Sequence, residues 1–495
     1  MKTIKTEKKL PWQKRDVLKV VMIYALNVLL LSALFILGVF VGSDKAEGLA
    51  YLTSKPQEFL SFFILLILVV GFMGVYFVFE DKDFLHNPVN SEMIFLILDI
   101  AVAVCFVFQR YVSSFSMPIA LVALLTLFLS DTRKSSFVNI IFSFMLVLFT
   151  EYLGLAHNIQ NTSENLLFIF LMCFSSGIVA TYLMSNVYSR SKLLLRSIVI
   201  SIPAVLCVAL VILTKGNAPI VESLIASACS GPLSVAIFVV LLPIFEGLFK
   251  KVSCFKFSEL TDHNSKLIKK MIERAPGTFN HAIIVSNIAE ACATAIGEDA
   301  LLARTCAYYH DIGKLRRPEF FKENQGDGVN PHDELTPELS ANIIKSHALD
   351  GYNLLIKNRI SEKVAEVCLQ HHGTTPILYF YDKAKKFTDG EVDINQFCYA
   401  GPKPQTKIAA ILMIADGAEA STRTLQDRSS ENVSQVVRKI VNDRMKLGQF
   451  DECEITLKEL NIIIYTTINT LTGVYHSRIE YPRVTLEGFE GDKKD

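Results

Sequence analysis

The sequence predicts an all-α protein built for two solvents: a polytopic transmembrane helical bundle followed by an all-helical soluble domain. Eight apolar stretches crowd the first half, whereas in the second half apolar residues recur three or four apart. No βαβ alternation and no Gly-rich phosphate loop interrupts that second pattern. Charged residues gather at the start and after about residue 250, although 51% of the chain is apolar.

Crossing about 30 Å of hydrocarbon takes roughly 20 apolar residues in a helix. The eight stretches lie near 17–41, 58–80, 91–110, 115–130, 136–154, 165–185, 193–213 and 223–249, the fourth short and the eighth broken by proline. The first follows Lys8, Lys9, Lys14 and Arg15 like a signal peptide. Its apolar core is too long for one and no small-residue cleavage site follows, so it is expected to remain as an anchor. Residues 1–16 then form a cytoplasmic N-terminus, 17–41 the first anchor, 42–57 a short extracellular loop and 58–249 a seven-helix bundle.

Lysine and arginine in short loops set the orientation. Lys2 to Arg15, Arg133 and Lys134, Arg190 and Lys192, and Lys250, Lys251 and Lys256 mark one side. The other side has Lys45 and Lys55 offset by Asp44, Glu47 and Glu58, and Lys215. Eight crossings place both ends of the bundle, and the soluble domain, in the cytoplasm of a multi-pass plasma-membrane protein. Asp99, mid-way in the third stretch, is either a sensing or conduction residue or a carboxyl group hydrogen-bonded to a neighbouring helix. Pro203, Pro232 and Pro243 are expected to kink the last two spans or leave gaps that neighbours fill.

A linker, 250–280, contains a helix over Lys266–Glu273, capped by Asp262 or Asn264 and closed by Ala275-Pro276-Gly277. Helices are expected over 282–296, 337–357, 360–371, 406–423 and 431–447, in a domain spanning 281–487 before a charged tail, 488–495. The 49 basic and 49 acidic residues cancel, which argues against a nucleic-acid polymer as partner. Ten cysteines without a CxxC pair or regular spacing read as reduced, buried thiols.

Chemistry concentrates in the histidines. His281, His310 with Asp311, His347, the doublet His371-His372 and Asp416 follow the pattern H, x28, HD, x35, H, x23, HH, x43, D. Any one of them has a mundane explanation as a core or helix-end residue. As an ordered set, imidazoles with carboxylates suit two divalent transition-metal ions, since seven N/O ligands exceed what one ion takes. Such a pair acidifies a water and neutralises charge on a phosphoryl group. Asp311 is the natural ligand to bridge the two.

The segments ERAPGTFNH, AYYHDIGKLRRPEFFKENQ, NPHDELTPELSANIIKSH, QHHGTT, GPKPQTKIAAILMIADGAEASTR, GQFDECEITLKEL and SRIEYPR resemble the seven-transmembrane HD-hydrolase family, the PgpH-type phosphodiesterases of cyclic di-AMP. The resemblance covers the soluble domain nearly end to end. It implies an HD-domain phosphohydrolase that binds manganese or iron through His281, His310, Asp311, His347, His371, His372 and Asp416. It also implies cleavage of cyclic di-AMP to pApA, with Asp311 and Lys314 as catalytic residues and Lys314, His332 and Thr374 as substrate contacts. His332 and Thr374 could equally serve as cap or turn residues, and Lys314 could be an exposed helix-end lysine. The large extracellular domain usual between the first span and the next seven is replaced here by residues 42–57.

Three other readings compete. HD domains also act on cyclic di-GMP or guanosine tetraphosphate, but the cyclic di-GMP branch carries GYP after its HH doublet where this chain has Gly373-Thr374-Thr375. A non-catalytic nucleotide-binding receptor would be expected to have lost ligands, and none of the seven is replaced. A transporter rests on the span count and Asp99 alone. The expected partners are the cyclic dinucleotide and the lipid bilayer, and a homodimer is the candidate assembly, with no sequence feature that specifies it.

Overall fold

The computed structural model describes residues 14–41, 45–81, 87–156, 166–185, 187, 189–215, 220–326, 330–387 and 390–474. The basic residues before the first helix, His157, the segment SRIEYPR and the charged tail lie outside the described residues. The chain divides into two compact units, Met1–Phe255 and Lys256–Asp495. Among the described residues both are helical, with one isolated β-bridge, Pro376 to Cys398.

The first unit holds α1 (Lys14–Phe40), α2 (Lys45–Ser54), α3 (Pro56–Glu80), α4 (Pro88–Tyr111), α5 (Leu121–Leu129), α6 (Thr132–Ala156), α7 (Leu166–Met184), α8 (Arg190–Ile200), α9 (Ile202–Lys215) and α10 (Ile220–Phe249). Seven of the eight predicted stretches give helices long and apolar enough to cross a membrane; the seventh stretch does so as α8 and α9 with a break at Ser201. The fourth does not. Its helix, α5, has nine residues, about 14 Å at 1.5 Å per residue, and an irregular stretch precedes it.

The chain still crosses the bundle there. Lys134 at the start of α6 pairs with Asp81 after α3 at 2.7 Å, while Tyr152 near the end of α6 meets Ser61 near the start of α3 at 2.9 Å. Thr150, also near the end of α6, lies 3.5 Å from Gln109 at the end of α4. Hence α4 and α6 are parallel, and the residues between them must traverse. Irregular backbone inside a membrane bundle is tolerated where protein encloses it. Met117 to Leu125 are buried, the Ala120 amide donates to Ser234 Oγ at 3.3 Å, and Cys173 reaches the Ile119 carbonyl. Residues 112–131 therefore join α4 to α6 across the bundle without forming a full-length helix.

Two polar sites in the bundle are resolved by neighbours. Asn27 on α1 donates to both carboxylate oxygens of Asp99 on α4, at 2.9 and 3.1 Å, which favours the interhelical hydrogen bond over a conduction residue. Pro232 cannot bond the Ala228 carbonyl four residues back. The Ser201 hydroxyl donates to that carbonyl at 2.7 Å and accepts from the Gly231 amide at 2.9 Å, so the break between α8 and α9 fills the gap in α10.

The second unit follows α11 (Cys254–Leu260) with α12 (Lys266–Arg274), α13 (Pro276–Ile296), α14 (Ala300–Tyr309), α15 (Pro337–Lys357), α16 (Glu362–Gln370), α17 (Leu378–Phe387), α18 (Lys407–Arg423), α19 (Ser430–Lys446) and α20 (Leu457–Val474). The helices expected in α15, α16, α18 and α19 are present within two residues. Helices α14, α17 and α20 were not foreseen. The linker helix ends as expected, at Arg274 with Ala275 as its C-cap, and Pro276 also occupies the first turn of α13, where its missing N–H has no intrahelical partner to lose. A boundary at residue 280 therefore cuts through a helix. Asp262 closes the turn before α12 through the Asn264 amide at 2.7 Å, while Ser265 holds the cap position.

Helix α18 forms the centre of this unit, with Ile408 to Ala415 all buried. Thr406 caps its start through the Ala409 amide. Gly297, at φ 78°, ends α13, and Asp299 caps α14 by accepting from Leu302 N at 3.0 Å. This tight hairpin sets the two helices that deliver the first three ligands side by side.

Candidate metal centre

Each candidate ligand is carried at a helix end or on a buried helix face. His281 lies on α13, His310 and Asp311 follow α14, His347 is on α15, His371 and His372 follow α16, and Asp416 is on α18. The structure brings all seven together in two groups of facing ligand atoms: His281, His310, Asp311 and Asp416, and Asp311, His347, His371 and His372. Asp311 belongs to both.

Its two oxygens face opposite ways. Oδ2 is 3.2 Å from His310 Nε2 and 3.6 Å from His281 Nε2, while Oδ1 is 3.2 Å from His347 Nε2 and 3.6 Å from His371 Nε2. Ligands at right angles on a metal with bonds of about 2.1 Å stand about 3 Å apart. The donor spacing fits one ion in each group with the carboxylate between them.

The tautomers fit as well. Nδ1 of His310 faces the Ala307 carbonyl at 2.7 Å, Nδ1 of His371 the Val367 carbonyl at 3.1 Å, and Nδ1 of His347 the Ile344 carbonyl. A proton held on Nδ1 leaves Nε2 with a lone pair toward the centre. His310 Nε2 and Asp311 Oδ1 are buried without a hydrogen-bond partner, a costly arrangement unless a cation takes those lone pairs.

Electrostatics keep the carboxylates ionised. Burial opposes the charge on Asp311, but Lys314 and His310 hold it well below the usual carboxylate range. Asp416 is likewise held low against burial by its bond to His281 and by His372. Burial disfavours a charged His281, yet its bonds to Asp416 and Glu419 outweigh this and raise it to about 10. His372 is pushed well below its ordinary value by burial and by His371.

Four residues that sequence reasoning missed support the centre. Glu419, fully buried, bonds His281 Nδ1; its signal was its place three residues after Asp416 on one face of α18. Glu323 accepts from Lys314 Nζ at 2.7 Å and from Thr278 Oγ1 at 3.2 Å. Tyr399 stacks on His372 with ring centres 4.3 Å apart. Gln449, buried, accepts from the Thr374 amide at 3.0 Å and donates to Thr374 Oγ1 at 2.9 Å. The last three lie on connections whose course no local pattern announces.

The expected substrate contacts separate. Lys314 is in the site, its Nζ 2.7 Å from Asp311 Oδ2, half-buried rather than the exposed helix-end lysine of the alternative. Thr374 adjoins the ligand doublet with its hydroxyl engaged by Gln449. His332 is not gathered with the ligands. Its Nε2 bonds the Phe320 carbonyl at 2.9 Å and its ring contacts Phe320 and Phe380, which is the turn-stabilising alternative.

Replacing Glu419 by alanine is expected to free His281 to rotate and to lower metal affinity about 10- to 100-fold, the usual scale for losing such a partner. Competition against a chromophoric chelator measures it. Unaltered affinity would show that Glu419 has no part in orienting His281.

The chain is similar to known proteins over both of its halves. Residues 56–253 match the family described as 7TM receptor with intracellular HD hydrolase, and residues 278–421 match the HD domain family. Cyclic-di-AMP phosphodiesterase PgpH of Listeria monocytogenes is 38% identical over 354 residues, 71% of this chain and 48% of that protein. The Bacillus subtilis protein of the same name is 39% identical over 314 residues, 63% of this chain and 44% of that one. The chain thus spans about half the length of these curated relatives. Crystal structures of the L. monocytogenes PgpH HD domain, one of them in complex with cyclic-di-AMP, are 47% identical to it. They cover 43% and 44% of this chain and all of the solved domain, with TM-scores of 0.41 and 0.42.

Proposed function

Since the chain belongs to the family of seven-transmembrane proteins with an HD hydrolase domain, we propose that it is a multi-pass membrane phosphodiesterase that hydrolyses cyclic di-AMP to pApA and so lowers a second messenger. The observation that carries this reading is the carboxylate of Asp311 shared between two ligand groups. One water adds to one phosphorus, the P–O3′ bond breaks, and the 3′ oxygen leaves with a proton, so the linear product keeps a 5′ phosphate. Two metal ions, when bound, supply the acidity of that water and offset the charge on the phosphoryl oxygens.

The chain's own residues do the rest. His281, His310 and Asp416 form one half of the ligand set and His347, His371 and His372 the other, and Asp311 joins them. Lys314 fixes Asp311 through a 2.7 Å contact, and Glu323 shares that ammonium, so a phosphate entering beside Lys314 meets a positive group already aimed at the centre. Manganese and iron suit this mixed imidazole and carboxylate set. The basic residues flanking the spans support a cytoplasmic HD domain.

Purified full-length protein loaded with manganese, incubated with cyclic di-AMP, cyclic di-GMP and guanosine tetraphosphate, is expected to release pApA from the first at the highest kcat/KM. Turnover of another nucleotide in its place would reject the substrate, and tight binding without hydrolysis in metal-replete protein would favour a receptor.

A further inference from the structure

Close to the metal centre lies a cation whose Nε has no hydrogen-bond partner among the described residues. Arg444 is in the last turn of α19, half-buried, and its Nε is enclosed without a hydrogen-bond partner. Among the described residues no carboxylate forms an ion pair with it. An arginine in a last turn ordinarily serves the helix dipole or extends into water; an enclosed Nε without an acceptor serves neither. Asp416, Asp443 and Tyr399 lie within electrostatic reach of it, and burial, which lowers its affinity for the proton, is opposed by the metal-site carboxylate Asp416.

Hydrogen bonds and a ring contact tie the neighbouring chain to the centre. Gln449, whose amide donates to the Arg444 carbonyl at 3.0 Å, is tied by both ends of its side chain to Thr374, two residues after His372. The Tyr399 amide donates to the Thr375 carbonyl at 3.1 Å. The Tyr399 ring also meets His347 edge-on, with centres 6.0 Å apart. The other nearby cations are engaged, Lys314 by Asp311 and Glu323 and Lys403 by Asp451.

We infer that Arg444, with Tyr399 beside it, forms a second anion subsite that takes the phosphodiester left uncleaved when a cyclic dinucleotide presents its other phosphate to the metal centre. The inference rests on the proposed function and deepens it. A cyclic dinucleotide carries two phosphates joined through one sugar on each side, so placing one at the ligand cluster obliges the other to lie a few bonds away. A guanidinium offers that anion two parallel N–H donors. The Tyr399 phenol adds an O–H donor.

The test uses the full-length chain in lipid nanodiscs, loaded with manganese, as wild type, Arg444→Met and Arg444→Lys. Substrates are cyclic di-AMP, cyclic di-GMP and bis(p-nitrophenyl) phosphate, which has a single phosphate, and calorimetry measures binding of pApA. Arg444→Met is expected to raise KM for the two-phosphate substrate and weaken pApA binding about 30-fold, the scale of a hydrogen bond to a charged group. The effect on bis(p-nitrophenyl) phosphate should be at least tenfold smaller, and Arg444→Lys should recover part of the loss. Equal losses on both kinds of substrate, or pApA affinity that does not change, overturns the subsite. If wild type cleaves cyclic di-GMP and not cyclic di-AMP, the proposed substrate fails while the subsite is judged on cyclic di-GMP. If Arg444→Met binds fewer than two metals per chain, Arg444→Lys and pApA binding decide.

Discussion

Asp311→Ala is expected to cost at least about 10³ in turnover, about 4 kcal/mol of barrier, and to bring metal content below two ions per chain while helicity is retained. The reason lies in where the two oxygens point. Oδ2 faces His281 and His310, Oδ1 faces His347 and His371, so one substitution removes a donor from both groups. It also takes from Lys314 one of its two carboxylates and leaves Glu323 alone to hold a half-buried ammonium. Elemental analysis, circular dichroism and a turnover assay on one preparation separate these effects. A variant with two ions and full activity would remove Asp311 from the centre.

Gly313→Ala is expected to lower the stability of the second unit by about 3 kcal/mol, the upper end of ordinary overpacking, and to lower metal affinity with it. A Cβ at this position would lie 1.9 Å from the His347 carbonyl and 2.5 Å from the Gly351 amide. Both are backbone atoms of α15, which can yield only by moving the helix. That helix carries His347, so relief of the clash draws a ligand away from the other six. Gly390→Ala, with nothing within 4 Å of the added carbon, is the control and should leave melting unchanged. Thermal unfolding with and without manganese measures both. An unshifted Tm for Gly313→Ala would mean that the 3-10 turn Ile312–Arg316 and α15 do not meet this closely.

The same glycine shows where sequence reasoning reaches its limit. In the sequence Gly313 is one letter of HDIGK, and nothing local tells that it must admit another helix backbone. The ligands were legible because their chemistry is particular: five imidazoles and two carboxylates at fixed spacing have few uses other than metal. Glu419 was half-legible, one turn beyond Asp416. Glu323, Tyr399 and Gln449 were not legible, because their partners are 9, 27 and 75 residues away along the chain and each sits in a connection of unremarkable composition.

In the membrane half, hydropathy located the crossings but not their form. Mean apolarity reports whether a segment can be enclosed, and residues 115–130 satisfy it as well as any helix. Whether that segment spans as one long helix or as a short helix with an irregular entry depends on the neighbours that accept its free backbone groups. Ser234 and Cys173 are those neighbours. By itself the sequence determined the class of the fold, the existence of two solvents and the identity of the ligand atoms, since these follow from periodicity, transfer energy and donor chemistry carried by each residue. The tertiary structure alone decided which oxygen of Asp311 faces which histidines, which glycine lets a 3-10 turn touch a helix and which arginine, among the described residues, has an enclosed Nε without a hydrogen-bond partner, because each depends on distances between residues that no spacing along the chain encodes.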